Sequence, residues 1–146
     1  MLARFPAGIW PASARAILGA PQQWQKWALY DRDPLAHWGK GPVTLLGDAA
    51  HPMLPYLAQG AAMAIEDAAA LAQRLSETPD DPAPAMRRYE RQRLARTARA
   101  QRSARRNGTI YHMGGAAAFL RTFALLAMGG DRLITRYDWL YGWKPA

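Results

Sequence analysis

The sequence has no cysteine, which excludes disulfide cross-links and thiolate metal centres. Its histidines, His37, His51 and His112, are scattered, and none forms the helical i, i+4 pair of a zinc site, so no metal is expected. Pro6 and Pro11 interrupt the N-terminal MLARFPAGIWPASARAILGA and Arg15 divides its apolar residues, so this stretch is expected to make a poor signal peptide. The most apolar segment, Thr109 to Met128, is interrupted by Gly114-Gly115 and Arg121. It falls short of the continuous run of about 20 apolar residues that a membrane span needs. Missing too is a strand followed by a G-x-G-x-x-G turn and, some 20 residues on, an acid; without these there is no dinucleotide-binding unit.

What is present is apolar and basic. Half of the 146 residues are hydrophobic, enough for one domain with its own core. The net charge of +8 is localised: Arg87 to Arg106 holds nine arginines against the single acid Glu90, while the remainder has ten basic and ten acidic residues. Nucleic-acid binding would require stacking aromatics or groove-reading polar groups among these arginines, and only Tyr89 is aromatic. A solvated helix whose arginines pair with acids elsewhere is favoured, and no nucleic-acid partner is expected. A non-catalytic basic interaction module built on Arg87–Arg106 is the alternative.

The chain is organised around Val43 to Leu75, VTLLGDAAHPMLPYLAQGAAMAIEDAAALAQRL. Val43 to Leu46 reads as a buried strand ending at Gly47-Asp48, and Trp24 to Asp31 as a second strand, so a short strand pair is expected. Pro52 and Pro55 stiffen the loop beyond Asp48. Gly60 to Ser76 reads as a helix with an apolar stripe of Ala61, Ala64, Ile65, Ala68, Leu71, Ala72 and Leu75. Its first backbone N–H groups have no partner within the helix and attract negative charge.

Elsewhere, Pro11 to Gly19 suits a short helix closed by glycine. A long arginine-rich helix is expected over Ala85 to Asn107, with Met86, Tyr89, Leu94 and Ala98 on a thin apolar line. Thr109 to Met128 reads as a core helix in two pieces, broken at Gly114-Gly115. The terminal aromatics Tyr137, Trp139, Tyr141 and Trp143 are expected to pack back on the domain.

A helix N-terminus whose amides are covered only by Gly60, Ala61 and Ala62 offers preorganised donors to the N1–C2 carbonyl edge of an isoalloxazine as it gains negative charge. A carboxylate at a strand end, Asp48, is a suitable acceptor for a polyol arm. The run GDAAHPMLPYLAQGAAMAIEDAAALA resembles the second flavin-binding motif of single-component FAD-dependent aromatic hydroxylases, the group of salicylate hydroxylase, 3-hydroxybenzoate 6-hydroxylase and 6-hydroxynicotinate 3-monooxygenase. LYDRDPLAHWGKGPVTLLGDAAHPM, RYERQRLARTARAQRSARRNGTIYH and YDWLYGW resemble the family's approach to that motif, the helix after it and a characteristic ending.

The resemblance implies an α/β, mostly helical fragment: the C-terminal portion of a FAD-binding Rossmann-like hydroxylase fold, a short strand pair followed by long helices. Residues 1–34 would end the substrate domain, 35–78 form the strand-loop-helix of the FAD-binding domain, and 79–146 make a C-terminal helical region, with the N-terminal dinucleotide-binding unit absent. FAD would be held by Gly47, Asp48, Pro55, Gln59, Gly60, Ala61 and Ala62. The intact cytoplasmic enzyme would hydroxylate an aromatic substrate with NAD(P)H and O2 through a flavin C4a-hydroperoxide, and this chain alone would be inactive. A truncated gene, a displaced start codon and one half of a split enzyme, with the missing part as a separate chain, all remain open. Leu57 stands where many members have glycine.

No catalytic residue is assigned. His51 and Tyr56 lie in the motif loop; for His51 a hydrogen-bonded structural role is favoured over general-base work, and Tyr56 either faces the substrate or covers the loop. Glu66-Asp67 falls in the early turns of its helix, where acids suit the dipole without doing chemistry.

Overall fold

The computed structural model describes residues 2–144. Among the described residues five α-helices succeed one another: α1 (Ala12–Gly19), α2 (Gly60–Glu77), α3 (Pro82–Tyr111), α4 (Gly115–Thr135) and α5 (Asp138–Tyr141). Short 3-10 turns occur at Leu2–Arg4, Gly47–Ala49 and Pro55–Leu57.

The expected strand pair and Rossmann-like sheet are not formed. Among the described residues there is no strand, only isolated bridges between Ala7 and Trp10 and between Lys40 and Val43. Residues 21–30 are all solvent-exposed, with Trp27 79% and Tyr30 84% accessible. The physical reason is pairing: an extended run becomes a strand only when a neighbour takes up its N–H and C=O groups. Nothing within residues 2–144 lies alongside Trp24–Asp31 to do so. Val43–Leu46 reaches only an isolated bridge, Val43 exchanging backbone hydrogen bonds with Lys40 and the Leu45 N–H donating to the Trp38 carbonyl. Side chains add the rest, with Arg87 donating to the Gly39 and Val43 carbonyls and Tyr89 to that of Leu45.

The core lies between α2 and α3. Alanine's high propensity, after the left-handed Ala58 and the N-cap Gln59, starts α2 where the sequence predicts, but the buried face differs from the expected stripe. Met63, Asp67 and Ala70 face α3, whereas Ala61, Ile65, Ala68 and Ala72 are exposed. On α3 the buried line is Ala85, Tyr89, Arg93, Thr97, Ala100 and Ala104, so small alanines at the two ends flank a polar middle. One apolar cluster joins Leu57, Met63, Ala100, Ala104 and Leu140, with Tyr137 and Trp139 packed on it; a second joins Trp38, Ala50, Ala70 and Tyr89. Most of the terminal aromatic group therefore does fold back, while Tyr141 stays 71% exposed.

The core-helix reading of Thr109–Met128 is overturned. The break comes at the predicted glycine pair, but α4 buries no residue, and Phe119, Phe123 and Leu126 are 74%, 66% and 78% exposed. A second glycine, Gly129, kinks α4 with a φ of 71°. Among the described residues no single helix is long and apolar enough to cross a membrane.

Candidate functional site

The motif loop, residues 47–59, is held at three points by side chains from α2 and α3. At its start Gly47 adopts a φ of 60°, the left-handed region that favours glycine. A Cβ there would also lie 3.2 Å from the Ala64 Cβ. The Gly47 N–H donates to Asp67 Oδ2 at 3.1 Å. Mid-loop, Gln101 donates to the Pro52 carbonyl at 3.0 Å, and near its end Asn107 donates to that of Tyr56 at 3.2 Å. These clamps satisfy backbone groups that a buried loop would otherwise leave bare.

Asp67 is the hub. It is fully buried, accepts from Arg93 Nε at 2.7 Å through Oδ1, and pairs with His51 Nε2 at 2.5 Å through Oδ2. Burial alone would raise its pKa, but the hydrogen bonds from His51 and Arg93 outweigh this and hold the carboxyl below the ordinary aspartate range. Arg93, equally buried, also pairs with Glu66 at 2.7 Å and lies 5.2 Å from the Trp143 ring centroid. Arg96 pairs with both oxygens of Glu66 and donates to the Trp139 and Leu140 carbonyls, tying the tail to the same network. Burial, reinforced by the Asp67 charge, pushes the neighbouring Tyr89 hydroxyl far up, so it remains a donor.

The sequence-predicted site residues fall into two sets. Asp48 is exposed and makes no hydrogen bond or ion pair with any described residue. Its Oδ1 would lie 3.7 Å from a Cβ added at Gly60, so it flanks the start of α2. The first helical bond there runs from Met63 N–H to the Gln59 carbonyl at 2.9 Å, leaving the Gly60, Ala61 and Ala62 amides without intrahelical acceptors. No side chain caps this terminus. Pro55 is exposed and, with Tyr56, borders a cleft of about 470 Å³ also lined by Tyr111, Tyr137 and Tyr141.

His51 and Tyr56 are drawn into packing. His51 is wholly buried against Asp67 and Trp38, which keeps it from meeting a solvent-borne reactant. The Tyr56 ring presses on Gly108, where a Cβ would come within 2.7 Å of it, and meets Tyr111 and His112 edge-on.

A terminus of free amides beside a free carboxylate can offer donors to a ligand's acceptor edge and an acceptor to its hydroxyls. The profile of the FAD binding domain matches residues 11–104, a span that contains this whole arrangement. The chain belongs to the FAD binding domain family. Among relatives of this FAD binding domain, 3-hydroxybenzoate 6-hydroxylase of Polaromonas naphthalenivorans is 43% identical over 94% of the chain and 34% of its own length. For 3-hydroxybenzoate 6-hydroxylase 1 of Aquipseudomonas alcaligenes the figures are 50%, 87% and 32%. For 6-hydroxynicotinate 3-monooxygenase of Bordetella bronchiseptica they are 49%, 64% and 24%. The chain thus spans about a third of the length of the hydroxybenzoate hydroxylases it matches.

Sequence reasoning missed Arg93 and Gln101 within the matched span and Asn107 just beyond it, and read Asp67 as a dipole-tuning acid. A signal was available. Asp67 sits at the i+4 position from Met63, and Arg93 at the i+4 position from Tyr89; ionisable groups in register with buried residues need a partner.

Proposed function

We propose that this chain forms one wall of the flavin site of an FAD-dependent aromatic hydroxylase. The observation that carries the reading is the free Asp48 carboxylate beside the three unpaired amides of Gly60, Ala61 and Ala62. Asp48 would accept hydrogen bonds from the ribityl hydroxyls, and the amides would donate to the pyrimidine edge. Gly47, Pro55 and Gln59 hold the loop that presents them. Bound FAD supplies the redox chemistry by which NAD(P)H and O2 lead to ring hydroxylation. The chain's own contribution is to orient the cofactor and to place positive potential, from backbone that need not reorganise, where negative charge develops.

The aromatic substrate and the adenine and pyrophosphate parts of FAD would meet residues from a further segment, in the same polypeptide or a separate one. By itself the chain would bind FAD weakly and be inactive, and the assembled enzyme would work in the cytoplasm. A chimera in which this chain replaces the matching third of the Polaromonas hydroxylase tests the reading. It is expected to purify yellow with bound FAD, and Asp48→Ala within it to weaken flavin binding about tenfold or more, as loss of charge-assisted hydrogen bonds would. A chimera that is folded by circular dichroism yet colourless, or an Asp48→Ala form with unchanged FAD affinity, would overturn it.

A further inference from the structure

The arginines of α3 do not share one fate. Arg87 pairs with Glu90, Arg93 and Arg96 with Glu66, and Arg105 with Asp31 and Asp33. Arg99, Arg102 and Arg106 have no carboxylate partner among the described residues. Their spacing, i, i+3 and i+7, puts them on one helical face. That face borders a cleft of about 450 Å³ whose other wall includes Arg136, at the end of α4, and Trp139 of α5. Arg99 stacks on the Trp139 ring at 3.9 Å from its centroid, which fixes one guanidinium, and the half-buried Ser103 adds a hydroxyl.

Four guanidinium groups therefore surround a single cleft, and no acid lines it among the described residues. Their mutual repulsion is relieved by a compact anion of several charges, and the planar forks match phosphate oxygens bidentately. We propose that this cleft is a binding site for an oligophosphate anion of the pyrophosphate class, free or as part of a nucleotide. The site shares no residue with the Asp48–Ala62 wall, so its failure would leave the flavin reading untouched, and the converse also holds.

The test is calorimetric titration of the purified chain with inorganic pyrophosphate at ionic strength matched by sodium chloride. Two double variants are compared: R102Q/R106Q inside the cleft, and R91Q/R132Q, which removes the same charge from exposed positions outside it. One-to-one binding is expected, weakened about tenfold or more by R102Q/R106Q and less than about twofold by R91Q/R132Q. Adenosine diphosphate distinguishes the source: tighter binding than pyrophosphate, lost in R102Q/R106Q, identifies a nucleotide, whereas weaker binding identifies the free anion. Absence of binding above the chloride control, equal losses in the two folded double variants, or citrate binding as tightly as pyrophosphate would overturn the proposal.

Discussion

The α2–α3 pair and the α4 arm are both helical, yet they solve opposite problems. Around α2 and α3 the buried surface is rich in polar and charged groups: Asp67, Arg93, Glu90 and the neutral Gln101 are nearly or fully inaccessible, and each has a partner. On α4 the exposed surface is rich in hydrocarbon, with Phe119, Leu120, Phe123 and Leu126 all more than half accessible. Stability in the first region is specific and directional, because removing one member strands the others in a place water does not reach. In the second there is little to lose. The anchor that ties α4 to α3 is polar, the Arg121 side chain donating to the Ile110 carbonyl at 3.0 Å.

The comparison breaks most sharply at Asp67. Asp67→Ala should cost about 3–5 kcal/mol in urea unfolding, the scale for leaving a buried charge unpaired, because Arg93 and His51 lose their shared acceptor. A loss below about 1 kcal/mol would show that the network contributes no more than a surface pair. Next in size is Gly47→Ala. The positive φ and the 3.2 Å approach to Ala64 predict about 1–3 kcal/mol of destabilisation in the same assay.

Acid should separate the two regions as well. Asp67 has a folded pKa below its unfolded value, so its stabilisation is fully present above about pH 4 and disappears as pH falls through the folded value. The gap in urea midpoint between the native chain and Asp67→Asn should therefore narrow as pH falls from 6 to 2. A gap that persists unchanged to pH 2 would contradict the lowered pKa. Smallest of all, Phe123→Ser and Leu126→Ser should each change stability by less than about 0.5 kcal/mol, as surface substitutions do. A cost above about 1 kcal/mol in the isolated chain would mean that the α4 face is covered in solution.

Legibility in the sequence tracked the range of the interactions involved. The α2 start at Gly60 and the break at Gly114-Gly115 were readable because helix propensity and glycine act locally. The strand readings at Trp24–Asp31 and Val43–Leu46 failed because a strand is a property of two segments, and alternation in one cannot supply the other's hydrogen bonds. The face of α2 was misjudged for a related reason. Its expected stripe was chosen for hydrocarbon, but Ile65 lies 71% exposed while Asp67 lies inside, since a charge can be buried when Arg93 and His51 meet it there.

The candidate site divides along the same line. Sequence by itself determined the loop's chemistry: a glycine before Asp48, prolines at 52 and 55 to stiffen the loop, and small residues at 60–62 that leave amides bare. Those are covalent properties of the residues, and they travel with the motif. Only the tertiary structure decided that Asp48 stands free beside those amides while His51 and Tyr56 are taken up in packing, and that Asp67, Gln101 and Asn107 clamp the loop. The clamps come from helices up to 51 residues away along the chain. Their effect depends on how α2 and α3 face one another, which no local pattern specifies.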